Sequence, residues 1–289
     1  MNDKVMKNVF ASITILFWSL AFPLTKVAAV DLSSFTIGAV RCTVAAIVLL
    51  AIGKAMHIRK PFRRSHLALF AAEGMMGFSL YMIFFNTGMQ TLTSATSSLI
   101  LALTPTFTAL GAWKVFGERL KGFGWFCMGT AFVGVCILLF WDGDFSMGVG
   151  ALWTVSAVIL FAGYNLLNRK LTHMGYNAVE IVTYAMCFGA LFLWVFAPRA
   201  VSELQSASGT SIFVCIFLGV TASAIAYFTW SQAFARAEKL TEVTNFMYVT
   251  PVLASIEGGI ILGEMPNGGT FIGGAIILAS VIAFGIRGK

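Results

Sequence analysis

Charge is what this 289-residue chain has least of. Only 11% of it is Asp, Glu, Lys or Arg, where a soluble domain carries about a quarter. A water-facing surface cannot be built from so few ionic groups, so a soluble globular domain is excluded. Histidine is nearly absent as well, with His57, His66 and His173 far apart, and no H-E-x-x-H, G-x-S-x-G or nucleotide-binding glycine loop occurs. Enzyme chemistry and ATP-driven transport by this chain alone therefore drop out, and no cofactor is expected. The five cysteines, Cys42, Cys127, Cys136, Cys187 and Cys215, all sit in apolar runs without C-x-x-C spacing. They define neither a metal site nor a disulfide framework. The formal net charge of +7 comes from short basic runs between apolar blocks. No interleaved stripe forms, so nucleic acid is not an expected partner.

What the chain has instead is hydrophobic length. It is 58% hydrophobic with a mean hydropathy of +0.87, and a spanning helix needs about 20 apolar residues at about 1.5 Å each. Ten such stretches can be marked, at roughly 8–28, 33–53, 66–87, 93–114, 122–141, 148–168, 177–197, 210–233, 240–262 and 268–286. The first is too long for a signal peptide and carries Trp18, Pro23 and Lys26 where a cleavage site would lie, so it is read as a span. Lys and Arg collect in alternate connections, from Lys4 and Lys7 through Arg63 and Arg64 to Arg287 and Lys289. The positive-inside rule then puts both termini in the cytoplasm.

One stretch occurs twice. LALTPTFTALGAWKVFGE at 101–118 and MYVTPVLASIEGGIILGE at 247–264 superpose at an offset of 146, which lays Thr104 and Pro105 on Thr250 and Pro251, and Glu118 on Glu264. Tyr81 falls on Tyr227 at the same offset, and Phe17 and Lys26 fall on Phe161 and Lys170 at an offset of 144. The chain reads as a duplication, with a first repeat at 1–141, a connection at 142–147 and a second repeat at 148–289. Five spans per repeat is odd, so the second copy enters from the opposite side. Inverted repeats are the physical basis of alternating access.

Polar groups at depth mark candidate sites. Arg41 lies near the middle of the second stretch, where an unpaired arginine costs a few kcal/mol or more. It needs a partner, water or a substrate: a buried carboxylate in a structural pair, or an anion met directly or through water. Glu73 and Glu257 are mid-membrane and fall on Gly219 and Gly111 of the other copy, so these charges are asymmetric in a symmetric frame. Each is read as the partner of Arg41, a proton-binding group, or a contact for a substrate amine. Glu180 and Glu242 lie near membrane edges and are read as hydrated, and Lys26 as a structural residue that snorkels.

Aromatic and amide side chains complete the candidate cavity: Trp18, Phe22, Phe78, Tyr81, Tyr164, Tyr227, Trp230, Phe246 and Tyr248, with Asn86, Asn165, Asn168, Gln232 and Asn245. Tyrosines and amides so far from the interface need hydrogen-bond partners. Such a cavity suits a small substrate with an apolar body and a polar head, or a cation over aromatic faces. Pro23, Pro105 and Pro251 are read as kinks, with Thr104 and Thr250 compensating nearby. Glu118 and Glu264 are read as closing helix ends at a gate. Glycines at Gly122, Gly124, Gly129 and Gly134, and at Gly268, Gly269, Gly273 and Gly274, allow close helix contact within a monomer or between two copies.

FWSLAFPLTK, Arg41 within SSFTIGAVRCTVAAI, TPTFTALGAWKVFGERL and TPVLASIEGGIILGE resemble the EamA-type members of the drug/metabolite transporter superfamily. The resemblance covers the whole chain. It implies an all-α membrane fold of ten helices in two inverted five-helix repeats, with helices one to four and six to nine around a central cavity and five and ten bracing the outside. It also implies a carrier of the bacterial inner membrane, commonly an exporter of amino acids or other metabolites, although members typically hold a more apolar residue where Glu73 and Glu257 stand. The expectation is export of an amino acid or related amine, with proton coupling open and the protein a monomer or homodimer in lipid. An uncoupled facilitator, an exporter of organic cations or drugs, and a scaffold or sensor without transport are the other readings.

Overall fold

The computed structural model describes residues 3–56, 63–117, 121–141, 145–238 and 240–287, with the side chains of 138, 139, 145–147, 241 and 285 left aside. Glu118 and the acidic pair Asp142 and Asp144 lie outside the described residues.

Every element is helical, and no strand occurs among the described residues. In chain order the long helices are α1 (Asp3–Ala28), α2 (Ser34–Ala55), α3 (Arg64–Met89), α4 (Ser94–Phe116), α5 (Gly122–Phe140), α6 (Phe145–His173), α7 (Ala178–Ser206), α8 (Gly209–Phe234), α9 (Glu242–Leu262) and α10 (Gly268–Arg287). Eight of them are long and apolar enough to cross a bilayer, while α5 and α10 are apolar but shorter over the residues described. Their outward faces carry Ile47, Phe126, Phe132, Phe213 and Ile260, all more than 60% exposed. Those faces suit hydrocarbon. The protein is an all-α, multi-pass membrane protein.

The helix ends follow from local chemistry. Ser33, Thr93 and Ser208 accept hydrogen bonds from the backbone amides of Thr36, Thr96 and Ser211, starting α2, α4 and α8; the bare N–H groups of a first turn need such acceptors. Gly117 and Gly263, equivalent in the duplicated stretch, end α4 and α9 with φ of 71° and 67°, a conformation that strains any residue with a Cβ. The repeated glycine is thus a repeated stop.

Two departures from sequence expectation concern the interiors of helices. The Thr-Pro pairs do not bend a continuous helix. α4 is interrupted at Ala102–Leu103 and restarts at Thr104, and in α9 a 3-10 turn at Asn245–Val249 precedes a restart at Thr250. Pro105 and Pro251 each sit in the first turn of the new segment, where a missing N–H costs nothing. Pro23, by contrast, lies within the unbroken α1. The sequence also gave no sign that α3 and α8 contain π-helical turns, at Met75–Ser79 and Gly219–Ile225.

Packing places α1 against α8 and α9, α2 against α7 and the π-turn of α8, α3 against α6, and α7 against the π-turn of α3. α5 and α10 lie along each other. The glycines of that pair serve contact within the chain, since a Cβ on Gly134 would stand 2.9 Å from the Gly273 carbonyl. Gly122 and Gly129 face open space.

Candidate functional site

Trp18, Ala21 and Phe22 of α1, Arg41 of α2, and Tyr81 and Phe85 of α3 line one cavity with Ser98, Leu101 and Ala102 of α4, Phe161 of α6, Tyr227 of α8 and Met247 and Thr250 of α9. Both halves of the chain contribute. Of the sequence candidates, Trp18, Phe22, Arg41, Tyr81, Tyr227 and Thr250 meet here. Phe85, Phe161 and Met247 belong to the wall and escaped sequence reading, because an apolar residue that faces a cavity looks like one that faces a neighbouring helix.

Two rings of the wall are held by the π-turns of α3 and α8. A π-turn widens the helix and puts a backbone carbonyl out of line with its usual donor. The indole Nε1 of Trp18 donates to Ala222 O in the α8 turn at 3.0 Å, and the hydroxyl of Tyr227 donates to Gly77 O in the α3 turn at 3.1 Å. Each turn therefore fixes one ring of the cavity. Around them Phe22 packs on Phe85 at 5.3 Å between centroids, Tyr81 stacks on Phe85 at 5.7 Å, and Trp18 meets Phe161 and Tyr227 edge-on at 5.3 and 5.2 Å. Such contacts hold ring faces and edges in fixed places.

Arg41 is 2% exposed. Its Nε donates to Ser223 Oγ at 3.2 Å, again in the α8 π-turn, and its Nη1 to Thr25 Oγ1 at 3.4 Å. The expected pairing with Glu73 or Glu257 is not formed, and no ion pair to Arg41 occurs among the described residues. Two neutral hydroxyls leave the positive charge uncompensated at a cavity wall. In the same lining, the Thr250 hydroxyl is buried without a hydrogen-bond partner. A buried guanidinium, an idle hydroxyl and aromatic rings are the groups that an anion with an apolar body would need.

The remaining candidates lie elsewhere. Asn165 accepts from Trp230 Nε1 at 3.2 Å and donates to Thr108 at 3.3 Å. Asn168 donates to Glu73 Oε1 at 3.1 Å and to the Tyr164 hydroxyl at 3.3 Å, and accepts from Ser231 at 3.4 Å. Phe78 packs between Tyr164 and Tyr227, at 5.6 and 4.7 Å. Asn86 ties α3 to α2 through Ser34 O at 3.0 Å. Glu257 accepts from Ser19 at 3.0 Å. Phe246 packs half-buried against the core, while Asn245 Oδ1 and Tyr248 Oη are buried without partners. Gln232 accepts from Arg236.

Ionic contacts mark both ends of the α1–α9 pair. Lys26 reaches Glu264 Oε1 at 2.5 Å and Leu92 O at 3.1 Å, while Glu264 Oε2 accepts from Ser94 N at 2.7 Å. One carboxylate thus joins the ends of α1, α4 and α9. At the other end Lys7 pairs with Glu242. Glu180, read as hydrated, is instead 3% exposed and closes a capping box with Asn177 at the start of α7. Glu242 is likewise engaged by Lys7. No cluster of His, Cys, Asp or Glu suited to a metal ion occurs among the described residues.

Comparison with known proteins gives two matches to the model of the EamA-like transporter family, over residues 6–140 and 148–286. A probable terminal-alkyne amino-acid exporter of Streptantibioticus cattleyicolor is 28% identical over 285 residues, 98% of this chain and 95% of that protein. The uncharacterized transporter YdfC of Bacillus subtilis is 24% identical over 97% of this chain and 92% of its own length. A riboflavin transporter of Vibrio cholerae is 25% identical over 63% of this chain and 59% of its own. A solved crystal structure shares the fold with a TM-score of 0.66, at 20% identity and 96% coverage of both chains.

Proposed function

The chain belongs to the EamA-like transporter family, a membrane transporter of small metabolites and not an enzyme, and from that premise we propose that it exports α-amino acids with apolar side chains. Its ten helices act as two inverted five-helix repeats, 1–141 and 148–289, exchanging conformations about the central cavity in a bacterial inner membrane. The reading of ten spans is supported by α5 and α10, which are apolar and pack on each other outside the cavity walls. Equivalent glycine stops and paired π-turns support the inverted repeat.

The observation that carries the substrate class is Arg41. Uncompensated at the wall, it takes a carboxylate as a charge-assisted hydrogen-bonding partner. The ammonium of the same amino acid finds the Thr250 hydroxyl and the ring faces of Tyr81, Trp18 and Tyr227, and the side chain lies among Phe22, Phe85 and Phe161. A simple organic cation is disfavoured, because no carboxylate lines the space among the described residues and Arg41 repels it. The similarity to a terminal-alkyne amino-acid exporter fits the same chemistry, since an alkyne is a slim apolar group with a polarisable face.

Counterflow in proteoliposomes tests this. Labelled L-propargylglycine should exchange with unlabelled apolar amino acids, and less with the matching amine or acid alone. Arg41→Gln should raise the half-saturating concentration by about tenfold or more, the loss of a charged hydrogen bond. Absence of exchange with any amino acid, or equal competition by tetraphenylphosphonium, would overturn the reading and favour a scaffold or a cation exporter respectively.

A further inference from the structure

Beyond the central cavity, a second cleft lies where α6 and α8 end and α9 begins. Arg169, Thr172 and His173 line it from the end of α6, Phe234 and Ala237 from the end of α8 and the connection that follows, and Leu240 from the first turn leading into α9. This is the end of the molecule that holds the start of α1, since Lys7 pairs with Glu242 and Arg236 Nε lies 3.9 Å from Asp3 Oδ1. The charge pattern reads that end as cytoplasmic.

Two threads join the cleft to the central cavity. The first is aromatic. Trp18 of the cavity wall lies 4.9 Å from Trp230, and Trp230 meets Phe234 of the cleft edge-on at 5.2 Å. Trp230 is fully buried and its Nε1 donates to Asn165 at 3.2 Å, so the ring between the two spaces is held in place. The second thread is one face of α9. Residues three apart eclipse each other in a 3-10 turn, which stacks Thr244, Met247 and Thr250 along the turn at Asn245–Val249. Leu240, one α-turn before Thr244, lines the cleft, while Met247 and Thr250 line the cavity. All four are buried, and the hydroxyls of Thr244 and Thr250 have no hydrogen-bond partner. Idle buried hydroxyls are costly. Here they flank Met247, an unbranched and adaptable side chain, on the line from cleft to cavity.

The cleft has a chemistry of its own. Arg169 brings a positive charge, its guanidinium lying over the Phe116 ring at 5.0 Å. α6 ends at His173 and α8 at Phe234, and helix C-termini present carbonyls with partial negative charge. No carboxylate lines the cleft among the described residues. A simple anion is opposed by the helix ends and a simple cation by Arg169, whereas a zwitterion answers both. Phe234 and Leu240 offer apolar surface to its side chain.

We propose that this cleft is a second substrate site, where an apolar α-amino acid is held by its carboxylate at Arg169 before it passes along the Thr244–Met247–Thr250 face into the central cavity, with Met247 as the plug between the two. The proposal rests on the amino-acid reading above.

Thiol protection in mild detergent tests the site, with the native protein and its five cysteines as the blank. A membrane-impermeant methanethiosulfonate should label Ala237→Cys. Saturating L-propargylglycine should slow that reaction about tenfold, since mass action leaves about a tenth of the sites empty at ten times the dissociation constant. Protection should persist when Arg41→Gln weakens the central site, vanish in Arg169→Gln and return in part in Arg169→Lys. Phe234→Ala, which trims the cleft without touching its charge, should lose protection too, so the result does not hang on one variant that folds poorly. Protection lost in Arg41→Gln, or kept in both cleft variants, overturns the second site. The plug is tested in inside-out vesicles, where the same reagent should reach Ser98→Cys in the central cavity faster in Met247→Ala and slower in Met247→Trp. General loosening of the helices would speed both, and that outcome, or no change in either, overturns the plug. Counterflow of the amino acid without protection overturns the cleft site alone; absence of both overturns the amino-acid reading and the site with it.

Discussion

At the scale of single residues, the close approaches are more demanding than the charges. A Cβ on Gly74 would stand 2.5 Å from Ala185 O and 2.9 Å from Gly189 N, and one on Gly189 would meet Phe78 Cβ at 2.5 Å. Two of the three nearest obstacles on the Gly74 side are backbone and the third is the Phe188 Cβ at 2.8 Å, so α3 and α7 would have to part. Gly74→Ala should therefore destabilise the protein by about 1–3 kcal/mol, read as a lower midpoint of thermal unfolding in mild detergent. Arg41 was legible in the sequence as a group requiring an answer, since charge at depth is costly wherever the chain folds. Its partners were not. Ser223 and Thr25 are small hydroxyl residues of a kind scattered through every apolar stretch, and only the folded placement of α8 and α1 beside Arg41 selects them.

Among the elements, the end of α1 is held by charge on the side opposite the termini. Lys26 and Ser94 N share Glu264, so this carboxylate fastens α1, α4 and α9 together. Glu264→Gln removes the ionic part of that latch. Cysteines placed in the cavity wall, at Ser98 for instance, should then react faster with a membrane-impermeant thiol reagent from that side, and an unchanged rate would show that the latch does not gate. The α1–α2 connection carries a second tie. Asp31 Oδ2 accepts from Ser208 Oγ at 2.5 Å, Ser211 Oγ at 2.7 Å and Ser208 N at 3.1 Å, and hydrogen bonding from the Ser208 side chain, then Ser211, holds its carboxyl below the usual range. A carboxyl depressed in the folded protein stabilises it above the unfolded value and loses that contribution as pH falls through the folded one. Thermal midpoints should thus drop below about pH 4, in part through Asp31, and Asp31→Asn should flatten that segment of the profile.

For the whole molecule, topology is the prediction that the charge pattern makes. Reporter fusions after Lys289 and before Met1 should both report the cytoplasm, and one fused between α7 and α8 should report the outside. Two like orientations of the repeats would contradict the odd number of spans in each. Ionic contacts at both ends of α1 and α9 join an element of the first half to one of the second.

The sequence by itself determined the solvent and the helical class, and it pointed to the duplication and to charge within apolar stretches at Arg41, Glu73 and Glu257, because each reading follows from one-dimensional quantities: apolar length, offset and distance from a charged end. The offset of 146 also lays Gly117 on Gly263, but that both end helices came from the structure. What only the tertiary structure decided was which polar groups meet. Glu73 belongs with Asn168 and Tyr164, Glu257 with Ser19, Glu264 with Lys26, and Arg41 with no carboxylate. Helix rotation about the axis and the two π-turns set those encounters. A π-turn adds one residue to a turn and swings every later side chain by roughly 100°, a change that leaves the hydrophobic pattern of a lipid-buried helix untouched and so writes nothing into the sequence that could be read beforehand.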